Sequence, residues 1–327
     1  MIDVSSELIL KNNNDIKLIE LFREYYQIYY KKIKGFFLFI IILMLVVDKI
    51  SKLGQNTTIC MCVIAKEENR YIREFAEFYK KMGVDKIFLY DNNDITGERF
   101  EEVIGDYMDN GFVDIIDYRG LKSPKEKSYN DCYHKKMNLY DWFIFYDVDE
   151  FIYLKDFKSL KTFLGDKRFE KCQRVQLNWV FYTDNNLLYY EDKPVQIRFT
   201  EKEPNARKSK SGGQQEIKSI VRGNIENINI HCIYAIDSSL YNCDGFGEKK
   251  PVKHIITLQP DYENYYIKHY YSKSTEEFID KIMRTDAYYK DAVGITNFKI
   301  HRYFSYSKVT KEKLDLIENR TNLNLSS

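Results

Sequence analysis

The chain of 327 residues carries 50 Lys and Arg against 49 Asp and Glu, a formal charge of +1. That balance excludes an electrostatically driven nucleic-acid binder, because neutralising phosphates needs a local excess of Lys and Arg. With 44% apolar and 30% charged residues, and only 14 Gly and 5 Pro, disordered, collagen-like and proline-rich classes are excluded too. Six cysteines (60, 62, 132, 172, 232 and 243) are sparse for a disulfide scaffold and form no CxxC pair for zinc. Cys60 and Cys62 alternate within an apolar stretch and read as buried core thiols.

The chain divides into a polar segment 1–34, an apolar segment 35–47, a linker 48–56, a main domain 57–305 and a tail 306–327. The apolar run from Gly35 to Val47 has 13 residues, whereas about 20 are needed to cross a bilayer. Three readings stay open for it: an uncleaved anchor extended by the aromatic stretch from Tyr25 to Tyr30, an interfacial helix, or a helix packed on the protein. Lys31, Lys32 and Lys34 precede the run, which places a spanning N-terminus in the cytoplasm. The expectation is then a membrane-associated protein, type II and Golgi-like in a eukaryote, or on the cytoplasmic face of the inner membrane in a bacterium.

From Thr58 the pattern alternates strand and helix. Thr58 to Ile64 reads as a buried strand, and Ile72, Phe75, Tyr79 and Met82 mark one face of a helix that Gly83 ends. Asp85 to Tyr90 is a second strand, stopped by the turn cluster Asp91 to Asp94. Phe100, Val103, Ile104 and Tyr107 form another helical stripe, Phe112 to Ile116 a third strand, and Lys127 to Tyr140 a helix. Trp142 to Tyr146 is a fourth strand, with Asp147-Val148-Asp149-Glu150 at its carboxyl end. Val175 to Phe181 and Ile217 to Val221 read as strands, and Glu276 to Thr285 as a helix. The pattern predicts an α/β fold with a mostly parallel, Rossmann-like sheet and helices on both faces. Ligands bind such sheets beyond the carboxyl ends of the strands, where Ala65 to Asn69, Asp91 to Asp94 and Asp147 to Glu150 all fall.

If the fourth strand persists, Asp147 and Asp149 point the same way while Val148 faces the core. Paired carboxylates on an open edge suit a hard divalent cation that also takes phosphate oxygens; a solvated acidic loop is the bland alternative. His269 could complete a metal shell and Lys273 could face a diphosphate, just ahead of a helix capped by Ser274. Lys208, Lys210 and Lys218, near Glu216, could form a flap over a phosphate-bearing ligand or a solvated loop. No P-loop and no GxSxG elbow is present.

Six pieces in order, CVIAKEENRYIREFAEFYKKMGVDKIFLYDNN, YNDC, FYDVDEF, LNWVFY, IKSIVR and HYYSKSTEEFIDK, resemble glycosyltransferases of the family 2 and family 92 type. The resemblance covers roughly Thr57 to Arg284 and implies the GT-A fold, a nucleotide-sugar donor of the UDP-sugar kind, and Mn²⁺ or Mg²⁺. It also implies that Ala65, Glu67, Asp91 and Asp131 serve the nucleoside, and Asp147 the ribose or the metal. Asp149 then holds the metal with His269, and Lys273 faces the diphosphate. An acceptor hydroxyl of a glycan, lipid-linked or protein-linked, would be deprotonated by a carboxylate, Asp184 first and Glu216 second, giving inversion. Tyr182-Thr183-Asp184-Asn185 stands where many relatives carry a turn with glycine and serine. A glycan-binding protein without catalysis and a nucleotidyltransferase are the competing readings. The acidic Ala65-Lys66-Glu67-Glu68 argues against the second, and the DVDE element against the first.

Overall fold

The structure, a computed structural model, describes residues 57–203, 216–223, 225–228, 233–235, 241–250, 259–284 and 292–321, with residues 21, 24–27, 29–37 and 40. Two compact units, Met1–Leu53 and Gly54–Ser327, divide the chain. In the first, the described residues are helical and Tyr25, Tyr26, Tyr29 and Tyr30 are exposed. Of the expected apolar segment only Gly35, Phe36, Phe37 and Ile40 are described; the rest, like the linker 48–56, lies outside the described residues. Among the described residues no helix is long and apolar enough to cross a membrane.

In the second unit β1 (Ile59–Ala65) leads into α1 (Asn69–Lys81), then β2 (Lys86–Asp91), α2 (Glu101–Asp109), β3 (Val113–Asp117), α3 (Lys125–Lys136) and β4 (Trp142–Ile144). β5 (Glu150–Leu154), the single-turn α4 (Leu160–Leu164), β6 (Cys172–Phe181), α5 (Val195–Arg198) and β7 (Ile217–Val221) follow. The remainder comprises β8 (Ile225–Ile228), β9 (Ile233–Ala235), β10 (Tyr241–Asp244), β11 (Lys249–Lys250), β12 (Tyr265–His269), α6 (Thr275–Met283), α7 (Ala292–Tyr306) and α8 (Lys311–Thr321). The sheet runs β11-β10-β6-β7-β4-β1-β2-β3. β3, β2, β1 and β4 are parallel neighbours, and β7 enters antiparallel between β4 and β6. β12 joins beside β6 and pairs antiparallel with β5.

The period of two in β1 sorts its side chains between two cores. Ile59, Met61, Val63 and Ala65 join the larger one, with Tyr71, Ile72, Phe75 and Tyr79 of α1, Phe100 at the N-cap of α2 and Ile104 within it. Cys60, Cys62 and Ile64 join the smaller one, with Tyr129, Cys132 and Tyr133 of α3. Helices thus cover both faces, as the alternation requires. α1 ends where Gly83 takes φ +89°, a conformation that only glycine adopts without strain.

Several expectations need correction. Cys62 is bonded to Cys132 and Cys172 to Cys243, so only Cys60 of the expected pair remains a buried thiol among the described residues. The first bond ties β1 to α3, and the second ties β6 to β10. Alternation correctly placed Cys62 inside but is silent about a partner 70 residues away. The fourth strand stops at Ile144, and Asp147 to Glu150 form a turn closed by Glu150 N–H on the Asp147 carbonyl, 3.0 Å. The α3 helix ends at Lys136, before the expected Tyr140, and a turn follows that leads to Asp141, whose Oδ2 accepts from the Thr58 N–H at 2.7 Å and hydroxyl at 2.9 Å. Within the segment read as a tail, α8 buries Ile317 in the larger core.

α6 has a full capping box. Ser274 Oγ accepts from the Glu277 N–H, and Glu277 Oε2 accepts from the Ser274 N–H at 3.1 Å. The same carboxylate accepts from Tyr71 Oη at 2.7 Å and from both terminal nitrogens of Arg198, at 2.7 and 2.9 Å.

Candidate active site

A cavity of about 220 Å³ opens beyond the carboxyl ends of β1 and β4. Ala65 brings the end of β1 to it, the turn after β4 contributes Asp147, Val148 and Asp149, and His269 arrives at the end of β12. The surrounding charge is strongly positive: Lys66, Lys125, Lys281, Arg284, Lys299 and Arg302 all line it. An anion with several oxygens is the ligand that such a ring favours.

The two aspartates have different partners. Asp147 accepts from Lys125 Nζ at 2.6 Å and from the fully buried Lys218 Nζ at 2.9 Å. Burial opposes its ionisation, but the two lysines prevail and hold the carboxyl well below the usual carboxylate range. Asp149 Oδ2 accepts from Lys281 Nζ at 2.7 Å, and its Oδ1 lies 3.6 Å from His269 Nε2. It too resists burial and stays ionised, through Lys281 and His269. Burial pushes the His269 imidazole down to about 4, so the ring is neutral at neutral pH. Trp179 and Phe181 pack against that ring, with centroids at 4.5 and 4.8 Å, and Nδ1 has no hydrogen-bond partner among the described residues.

Asp149, Glu150 and His269 bring one potential ligand atom each within 4.8 Å of one another. An ionised carboxylate beside a neutral imidazole fits a divalent cation. Glu150 is the weaker member, since burial raises its carboxyl to about 8 while Lys218 stands 3.3 Å from Oε1. Asp147, expected beside Asp149 on one metal, is not among these three: its oxygens accept from Lys125 and Lys218.

The other expected residues scatter. Glu67 (φ +54°) and Lys273 line a neighbouring hollow of about 360 Å³, which shares Glu68, Lys281 and Arg284 with the cavity. Lys273 Nζ lies 4.0 Å from the Tyr71 ring centroid, inside the protein. Asp91 is buried against Arg119 Nη1 at 2.7 Å, and Asp131 accepts from Tyr90 Oη at 2.9 Å on the opposite face of the sheet; neither lines either hollow. Asp184, the first choice for the base, is buried and accepts from Lys313 Nζ at 2.6 Å and Tyr303 Oη at 2.7 Å, away from the cavity. Glu216 stands behind the cavity wall, 3.5 Å from Arg302. Of the expected flap, Lys208 and Lys210 lie outside the described residues, and Lys218 is a buried partner of Asp147. Lys125, Lys281, Arg284 and Arg302 sit in no motif that marks them in the sequence. The one available signal was the spacing of Lys281, in the last turn of a helix whose other face is apolar, and Arg284 at its C-cap.

The profile of glycosyltransferase family 92 matches residues 55–315. The chain belongs to glycosyltransferase family 92. Among curated proteins, it is similar to a family 92 protein of Oryza sativa subsp. japonica, 28% identical over 109 residues, which is 33% of this chain and 18% of that protein. A Ricinus communis family 92 protein is 27% identical over 95 residues, 29% of this chain and 17% of the relative. The family 92 chain therefore matches under a fifth of the length of these relatives. Among solved structures, S. aureus TarS residues 1–349 in complex with UDP-GlcNAc aligns with TM-score 0.35 and 14% identity, over 81% of this chain and 79% of that one.

Proposed function

We propose that this family 92 chain transfers a sugar from a nucleotide sugar, of the UDP-sugar class, to a hydroxyl of a glycan or glycoconjugate, with inversion. The observation that carries the reading is the cavity itself: two ionised aspartates at a strand end, ringed by lysines and arginines, in a glycosyltransferase family. Asp149 and His269 would hold Mn²⁺ or Mg²⁺, which would neutralise charge on the departing diphosphate. Lys125, Lys281, Arg284 and Arg302 would bind the remaining phosphate oxygens, and Lys218 would keep Asp147 ionised and oriented. Of the two expected carboxylates Glu216 is the nearer base: it does not line the cavity but pairs with Arg302, which does, and burial raises its carboxyl above the usual range, strengthening it as a proton acceptor.

The two disulfides support a lumenal or extracellular setting for the domain, since such bonds persist in oxidising compartments. That agrees with a type II membrane arrangement, and a membrane-proximal acceptor belongs to the same proposal.

The test is thermal unfolding of the full chain with UDP, GDP or CMP, with and without Mn²⁺. A rise in midpoint that requires both UDP and Mn²⁺, and is lost in Asp149→Asn, is expected. A folded protein whose midpoint no nucleotide moves would overturn the reading.

A further inference from the structure

We infer that Lys281 is the resident cation of Asp149, which a divalent ion must displace before it can bind; this rests on the metal-assisted reading above. Three observations carry it. Lys281 Nζ sits 2.7 Å from Asp149 Oδ2, within the shell a metal on that oxygen would occupy. The other oxygen faces His269 Nε2 at 3.6 Å, so an ion held between those two ligands would sit beside the ammonium. Lys281 is also seated: its ammonium lies 4.3 Å from the Tyr271 ring centroid and donates to the Tyr271 carbonyl at 3.3 Å.

An ammonium and a dication cannot share one buried carboxylate oxygen without strong repulsion, because little water screens them. One must leave, and the lysine has the means. It stands in the last turn of α6 on a flexible four-carbon stem, and it lines both hollows. The second hollow has Glu67, Glu68, Glu98 and Asp280 in its walls, so an ammonium withdrawn from Asp149 keeps anionic company. Lys281 thereby sets the metal affinity of the site: weak while no other anion is present, stronger once the donor diphosphate offers the lysine a new partner. By linkage, metal and nucleotide tighten each other's binding.

Mn²⁺ alone is titrated into the full chain without nucleotide, with free ion followed by electron paramagnetic resonance. Lys281→Met should bind Mn²⁺ about tenfold tighter than the unaltered protein, given the strength of like-charge repulsion at short range. Lys281→Arg, which keeps the charge, should stay near the unaltered value, and Asp149→Asn should lose the ion. Equal or weaker binding by Lys281→Met, with Asp149→Asn still losing Mn²⁺, overturns the inference and leaves the metal reading standing. Absence of Mn²⁺ binding in every protein, or binding undiminished by Asp149→Asn, overturns both. Circular dichroism checks folding, and Lys281→Gln, with much of the same stem, replaces a Met variant that does not fold.

Discussion

Lys313 Nζ lies 2.6 Å from Asp184 Oδ2, and both side chains are almost wholly removed from water. The pair joins α8 to the loop after β6, with Tyr303 of α7 donating to the same oxygen. Removing one member strands the other charge in a poorly solvated site. Lys313→Met should therefore destabilise the domain by about 3–5 kcal/mol, read from urea midpoints. Adding Asp184→Asn should recover part of that loss, because no unpaired charge then remains. A Lys313→Met variant as stable as the parent would show that the pair contributes little.

Glu216 offers a separable prediction. If it takes the acceptor proton, Glu216→Gln should lower kcat by about 10²–10⁴-fold. The nucleotide-induced shift in thermal midpoint should largely persist, because Lys125, Lys281 and Arg284 keep their partners and only Arg302 loses one. A loss of nucleotide binding with kcat preserved would assign Glu216 to orienting Arg302 instead.

The Glu277 carboxyl gives a pH dependence whose sign is fixed. Burial opposes its ionisation, yet Arg198, the Ser274 cap and Tyr71 together lower it from the usual 4.5 to about 2. A carboxyl depressed in the folded state stabilises above its unfolded value and loses that contribution as pH falls through the folded one. The stability advantage over Glu277→Gln should thus be full above about pH 4.5 and shrink steadily toward about pH 2. Urea denaturation of both proteins across that range measures it.

Each disulfide closes a loop of similar size, with cysteines 70 and 71 positions apart. Chain entropy gives a cross-link of that span about 4 kcal/mol. Reduction should lower the thermal midpoint markedly, and Cys62→Ala/Cys132→Ala and Cys172→Ala/Cys243→Ala should each reproduce part of the fall. A midpoint indifferent to reductant would mean that the bonds do not form in the native protein.

The parts legible in the sequence are those that local periodicity governs. β1, β2 and β3 announce themselves as apolar runs, α1 by its spacing, and the acidic turn by its place after Trp142 to Ile144. β5 and β12 do not, because Glu150–Leu154 becomes a strand only by pairing with Tyr265–His269, more than a hundred residues on. The cations of the cavity hide for a related reason: Lys281, Arg284 and Arg302 look like solvated helix residues until the fold turns them inward. Asp184 shows the converse. An acid in a loop reads the same whether it faces a substrate or is sealed against Lys313, and only the position of α8 distinguishes the two.

The Ser274–Glu277 cap has a consequence for what lengths of chain the domain can tolerate. Because Glu277 is also tied to Tyr71 and Arg198, the rotational phase of α6 is keyed to the core at its first turn. A single residue inserted between Glu277 and Lys281 would turn everything beyond it by about 100° and advance it by about 1.5 Å. Lys281 and Arg284 would then swing off the cavity while the cap stayed in place. The stretch from Ser274 to Arg284 acts as a ruler of fixed length.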